Sequence, residues 1–435
     1  MTAFALSVVL SGCYAAHGRG DDGAPGTADG GAFRDAGSAR RDAGSVATRD
    51  AAIGADAEVP LPRGPIDESG PDERPSDDPG AGEWEDDPGL APGDPCCEPI
   101  GPAVDIPFAS EIIGGLAMAW NGDGWGVLYT SIETASAFAE LDRMGRPIGP
   151  IRRYDIRAVG AELTWDSGRF GALITSEGSG PQQNAFALLD RRGVVASGWT
   201  ELEGLDYGAR IGRLGYRDRW IVVGGPSSPT PALELTVEAI EVDRVRFAER
   251  SSARAAVVGL KSRVVVFWSD AEEVRARVLS SPVSETLGPV IDVDARGAYL
   301  VGTRLRDRAV AFLASDATVG GRFVTVDPFE MTVTSAPLPP TAEPIRQRHD
   351  AIGLDGPGVI ASCSGVMDAA FEGYVELELY TADGQPAGAP VRVSTEPDAE
   401  IAWPCAVGSD GERIFVAWQL HERDVVRVRG YRLRR

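Results

Sequence analysis

Leu116-Ala117-Met118-Ala119-Trp120-Asn121-Gly122-Asp123-Gly124-Trp125-Gly126-Val127-Leu128-Tyr129 is the stretch whose reading decides the fold. Two apolar runs flank Asn-Gly-Asp-Gly, residues that supply polar caps and positive φ where two strands reverse. A third apolar run covers Ala137 to Leu141, a turn falls at Asp142-Arg143-Met144-Gly145, and a fourth run ends at Ile156. The unit reads as four antiparallel strands joined by short turns.

Working outward, the strand-turn-strand core returns six more times. It starts at Trp165-Asp-Ser-Gly-Arg-Phe170, Tyr216-Arg-Asp-Arg-Trp220, Leu260-Lys-Ser-Arg-Val264, Leu305-Arg-Asp-Arg-Ala309, Leu354-Asp-Gly-Pro-Gly358 and Val407-Gly-Ser-Asp-Gly-Glu-Arg-Ile414. The anchors lie 45, 51, 44, 45, 49 and 53 residues apart. A sandwich has no reason to repeat one four-strand module at near-constant period, whereas a ring of radial sheets does. Helix caps followed by apolar spacing of period 3.6 are absent, so the reading is all-β: a seven-bladed β-propeller of four-stranded antiparallel blades over 103–435.

Ring closure is also legible. After its first two strands the seventh repeat has only Val425 to Leu433 left, so a fourth strand is missing. Ala103-Val104-Asp105-Ile106-Pro107-Phe108-Ala109, ahead of the first repeat, is a strand without a blade. It is expected to supply the outer strand of the last blade, with Val104 beside Val428, which removes two exposed edges. Pro107 fits there, because an outermost strand tolerates a missing amide donor.

The first hundred residues have another character. Met1 to Leu10 is an apolar run too short to span a bilayer, and Leu10-Ser11-Gly12-Cys13 resembles the lipobox of bacterial lipoproteins. The resemblance implies a signal peptide over 1–13, lipidation of Cys13, and export to the cell envelope. Tyr14 in place of an Asp after the cysteine leans towards the outer membrane, on its periplasmic or surface face. No Lys or Arg opens the apolar run, so the true start is expected elsewhere than at Met1. From 14 to 102 the chain is Asp, Gly, Ala, Pro, Ser and Arg, with Arg34-Asp-Ala-Gly, Arg41-Asp-Ala-Gly and Arg49-Asp-Ala-Ala recurring. Such composition cannot offset chain entropy, so a disordered linker is expected. As a flexible coil it would hold the propeller roughly 50 Å from the anchor. Arg19-Gly20-Asp21 reads as chance in a tail of this composition.

The module resembles a repeat of secreted and lipid-anchored β-propeller proteins of myxobacteria-like Gram-negative organisms. Its marks are a strand ending in Trp-Asn/Asp-Gly, an aromatic second strand, and Leu-Asp-x-x-Gly before the outer strand. Ala119-Trp120-Asn121-Gly122, Leu141-Asp142-Arg143-Met144-Gly145 and Leu189-Asp190-Arg191-Arg192-Gly193 carry the likeness; repeats three to six follow it loosely. The resemblance implies fold and location and no activity.

Charge narrows the partners. The formal net charge is -23, and residues 14–104, with 20 Asp/Glu against 7 Arg, carry more than half of it. Nucleic acid and a basic membrane-surface patch are excluded, since both need clustered Lys/Arg. Membrane contact is expected through the lipid anchor alone, and the domain is expected to be monomeric.

Candidate chemistry is thin. Besides Cys13 the chain has Cys96, Cys97, Cys363 and Cys405. An even remainder in an exported protein suggests two disulfides. Either Cys96 and Cys97 each bond one of Cys363 and Cys405, pinning the linker to the last blades, or Cys363–Cys405 join neighbouring blades with Cys96 and Cys97 bonded to each other or elsewhere. Buried free thiols are the remaining option. Only His17, His349 and His421 exist, with no zinc spacing, so neither metal nor cofactor is expected. Asn121-Gly-Asp123-Gly and Ser409-Asp410-Gly411 resemble calcium loops, and Asp166-Ser-Gly an Asp-box, but the residues required at further offsets are missing and all three read as hairpin turns. Asp155, Arg157, Asp206, Arg210, Asp292, His349 and Asp350 are expected in loops entering innermost strands, where enzymatic propellers gather acid/base groups. Solvated loops are charged too. The sequence therefore favours a binding module for a protein or polysaccharide partner; a glycan-active hydrolase or lyase and an envelope-assembly scaffold are the alternatives. Clustered carboxylates and Arg at a central funnel would favour the enzyme, and an apolar rim would favour the binder.

Overall fold

The computed structural model describes residues 94–435 apart from 108–112, 132–134, 167, 176–183, 197, 206–208, 215–218, 225–229, 249–254, 271–272, 297–298, 315–320, 339–344, 368–372, 395–403, 421–424 and 435. Cys13, His17, the linker up to 93, Asp206 and His421 lie outside the described residues.

Seven antiparallel sheets follow one another along the chain, and among the described residues no helix occurs. Blade one comprises Ile113–Trp120, Trp125–Ser131, Ser136–Leu141 and Arg152–Tyr154, hydrogen-bonded in chain order. Blades two to six repeat that order from innermost strands Gly160–Asp166, Arg210–Leu214, Ala256–Gly259, Tyr299–Leu305 and Ile345–Leu354. Blade seven starts at Cys405–Ser409, and its innermost strand lies between those of blades six and one, closing the ring. The protein is a seven-bladed β-propeller.

A sheet covered on both faces must be apolar on both. Trp125–Ser131 is accordingly buried at every position, as a strand sandwiched between neighbouring blades should be. Among the described residues the buried apolar side chains form seven clusters, one at each seam between blades. Aromatic rings bridge several seams: Trp125 to Phe415 at 4.6 Å, Phe138 to Phe170 at 5.3 Å, Phe186 to Trp220 at 5.8 Å and Phe247 to Trp268 at 5.3 Å. Towards the axis the strands converge until side chains no longer fit. A Cβ on Gly353 would collide with the carbonyl of Arg304 on the preceding blade, and one on Gly115 with the backbone of Gly160 and Ala161.

Closure follows the expected register. Val104–Pro107 pairs antiparallel with Val425–Leu433, Val104 opposite Val428 and Pro107 opposite Val425. Ile106 is buried, while Asp105 meets Arg427 at 2.6 Å. Pairing begins further upstream than residue 103, however. Cys97–Pro99 runs along the other half of the same strand, Cys97 opposite Leu433, so the missing fourth strand is made of two pieces. The step between them is taken at Gly101, whose φ of 96° suits glycine. A sequence scan for one continuous apolar strand misses Cys97-Glu98-Pro99 because it is only three residues long.

Candidate functional site

The repeated turn motif has a structural job. In Leu141-Asp142-Arg-Met-Gly145, Asp142 Oδ1 accepts from the amides of Met144 at 2.8 Å and Arg146 at 2.9 Å; Asp190 does the same for Arg192 and Val194. The glycines at 145, 193 and 384 have φ of 78°, 74° and 82°, and each lies against a ring of the preceding blade: Phe415, Phe138 and Phe323. The Asp caps the turn, and the Gly lets it dock on the neighbouring blade. The loops resembling calcium sites are likewise spoken for. Asn121 Oδ1 accepts from Asp123 and Gly124, and Asp410 accepts from the backbone and side chain of Arg413. Asp166 pairs with Arg213 of blade three.

The turns between third and fourth strands share one face of the ring with the hairpins between first and second strands, since each blade is a simple meander. Among the described residues the exposed large apolar side chains gather at these turns or at the start of the strand that follows. Met144 and Ile148 lie on blade one, Val194 on blade two, Ile240 and Val242 on blade three, Val290 on blade four and Phe329 on blade five. Ile240 is 60% exposed and Phe329 53%, so neither is a core residue that merely shows an edge. Arginines are set among them: Arg263 stacks over Phe329 at 4.6 Å, Arg191 over Trp165 at 5.8 Å, and Arg413 approaches Met144 Sδ at 3.6 Å. Sequence reading missed this rim. Its signal was an apolar residue inside an otherwise polar turn, three times directly beside the Gly or Ala of positive φ.

Towards the centre of the ring, two expected residues come together with one that was not foreseen. Arg210 begins the innermost strand of blade three and forms an ion pair with Glu162 of blade two. Asp350, in the innermost strand of blade six, accepts from its neighbour Ala351 at 2.8 Å and from Val407 of blade seven at 2.9 Å. Burial raises its carboxyl to about 6, against the pull of those two amides and of Arg210 from across the ring. His349 sits beside it at a shift in strand register between Arg348 and Asp350. Of the other expected mouth residues, Asp155, Arg157 and Asp292 stay apart. Asp155 and Arg157 are exposed in the loop after blade one. Asp292 is not at the mouth: it lies in the outermost strand of blade four, exposed, at 3.7 Å from Arg275. Ile291-Asp-Val-Asp294 alternates apolar and polar residues, the pattern of a strand with one wet face, and that pattern outweighs its charge.

A second buried polar group holds the seam of blades five and six. Glu378 accepts from Ser364 and Tyr380 at 3.0 Å each and pairs with Arg348 at 3.5 Å; Arg348 stacks over Phe312 and Tyr380 at 5.4 Å. Burial opposes the charge on Arg348, and Glu378 and Tyr380 more than restore it.

Of the second pairing considered, the structure contains the Cys363–Cys405 half. Cys363 and Cys405 form a disulfide between blades six and seven, and Cys96 and Cys97 are buried with their sulfurs in contact. Among the described residues no three His, Cys, Asp or Glu side chains gather as a metal site.

No protein-family model and no curated protein matches the chain. Among solved structures it is similar to the WD40 domain of Toxoplasma gondii coronin, at TM-score 0.53 and 8% identity over 80% of this chain and 88% of that one. It also matches the Dos1 propeller, at TM-score 0.45 and 10% identity over 77% and 95% of the two chains. The likeness to the coronin domain is to a fold. The coronin domain is a propeller, as this chain is.

Proposed function

We propose that the protein is a lipid-anchored envelope protein whose propeller binds a protein partner through the rim of third-to-fourth-strand turns. The observation that carries this reading is the gathering of exposed Met144, Ile148, Val194, Ile240, Val242 and Phe329 on one face, interleaved with arginines. Methionine, aromatic rings and arginine are the residue types that protein interfaces favour. The lipobox at Leu10 to Cys13 supports the anchor, and the Cys363–Cys405 disulfide fits an oxidising compartment. A glycan-active enzyme needs a carboxylic acid and a second carboxylate turned to a substrate. Here Glu162 is engaged by Arg210, and Asp350 by two backbone amides.

Two measurements test the reading. A photo-crosslinker at Phe329 is expected to capture one defined protein in intact cells, while the same group at Asp155 on the opposite face captures none; equal capture from both faces would sink the rim. Cys13→Ala should move the protein from the membrane to the soluble fraction and abolish incorporation of labelled palmitate. Retained label would remove the anchor and leave the rim standing.

A further inference from the structure

Cys96 and Cys97 stand where the chain joins the ring. Their backbone is held from both sides: the Cys96 amide donates to Ala389 of blade six at 2.9 Å, and the Arg434 amide donates to the Cys96 carbonyl at 3.2 Å. Ala389 in turn donates to Asp94 at 2.7 Å, and Cys97 pairs with Leu433 of blade seven. In a regular strand adjacent side chains point to opposite faces. Cys96 lies in a bend and Cys97 opens the strand, so the alternation fails at this step and the two sulfurs converge to 2.9 Å. That is well inside the separation of unbonded sulfur atoms in contact, and a thiol is too weak a donor to hold it. Both residues are fully buried, in one apolar cluster with Leu377, Trp418 and Tyr431, and the nearest alternative acceptor, the Leu377 carbonyl, is 3.9 Å from Cys96 Sγ. The same cluster contains Cys363 and Cys405, two thiols already joined.

We propose that Cys96 and Cys97 close a vicinal disulfide, a redox-sensitive ring that holds the bend at which the chain enters the propeller. The oxidant is a disulfide-donating oxidoreductase. One cysteine, as thiolate, attacks the donor's disulfide and forms a mixed disulfide, releasing one donor thiolate. The second cysteine, as thiolate, attacks its neighbour's sulfur and releases the other. The two protons pass to the donor, which leaves as a dithiol carrying the electron pair. In the folded ring the adjoining Cys96 sulfur and burial push the Cys97 thiol far up, so Cys97 is no nucleophile there. Oxidation therefore precedes docking of Cys97–Pro99 on Val425–Leu433. The ring spans two neighbouring residues and constrains almost no chain; its effect is on local shape, unlike the bridge across 42 residues between Cys363 and Cys405.

The full-length protein, denatured and alkylated without reductant, decides the matter. The peptide containing both residues should emerge unalkylated and lighter by two hydrogens than the dithiol, and should take two alkyl groups only after reduction. In Cys96→Ser, Cys97 should alkylate freely while Cys363 and Cys405 stay bridged. Alkylation of both residues before reduction, or recovery of the peptide linked to one containing Cys363 or Cys405, overturns the proposal. Mild reduction of the native protein should also speed amide exchange at Arg434 and along Val425–Leu433 about tenfold. Unchanged exchange would refute the claim that the ring holds the entry bend.

Discussion

The seam between blades one and two and the seam between blades six and seven do the same task by different means. At the first, everything comes from the repeat: Phe138 packs on Phe170, Gly193 docks on Phe138, and the Tyr154 hydroxyl donates to the Gly193 carbonyl at 2.7 Å. At the second, a disulfide joins the blades, the Val407 amide donates to Asp350 across the gap, and Pro95 bridges to Ala389 from the opposite end of the chain. Sequence continuity explains the contrast. Blades one and two are consecutive complete modules that carry the turn motif in full. Blade seven is completed by a segment more than 300 residues away, and bringing that segment back costs loop-closure entropy that local docking does not incur.

The largest effect should come from the closing strand. Ile106→Asp places an unpartnered charge in the cluster shared by blades seven and one, and should cost more than about 4 kcal/mol, read as the urea midpoint of unfolding. A midpoint left near the wild-type value would mean that the ring does not depend on this strand. Replacing Cys363 and Cys405 together by Ser releases a loop of 42 residues and should cost about 4 kcal/mol in the same assay. The difference between the seams would vanish if that double substitution were silent.

On the repeat-built side, Gly193→Ala forces a Cβ into the Phe138 ring at a φ of 74° and should cost roughly 2 kcal/mol. Gly168→Ala offers a control for backbone strain alone, since its φ is 113° and nothing lies near. If the two glycines respond alike, docking on Phe138 contributes nothing.

The smallest effect is a pH dependence at the closing seam. Burial raises the Asp350 carboxyl from 3.8 to about 6, so between those values the folded protein binds more proton than the unfolded chain. This contribution to stability is full below about 4 and is lost as pH rises to about 6. At ~1.4 kcal/mol per unit, discounted because Asp350 is not sealed from solvent, roughly 1–2 kcal/mol is expected. Thermal melts from pH 4 to 7 should show a decline that Asp350→Asn flattens; an equal slope in both proteins would assign it to other groups.

Much of the architecture was legible before any coordinates. Strand and turn are local properties. Alternating apolar runs, Asn-Gly and Asp-x-x-Gly turns, and a repeat of 44 to 53 residues suffice to count seven modules and to see that the last lacks a strand. Even the Val104–Val428 register follows, because one unpaired strand and one unpaired edge were left over. What only the tertiary structure decided lies across seams and around the axis. Arg210 meets Glu162 because consecutive innermost strands run side by side, and it affects Asp350 because the ring brings distant blades within electrostatic reach. The cysteine pairing, the shared face of Met144, Val194, Ile240 and Phe329, and the convergence of Cys96 with Cys97 are of the same kind. Spacing along a chain specifies the module; the rotation from one blade to the next, set by packing, specifies which residues of different modules meet.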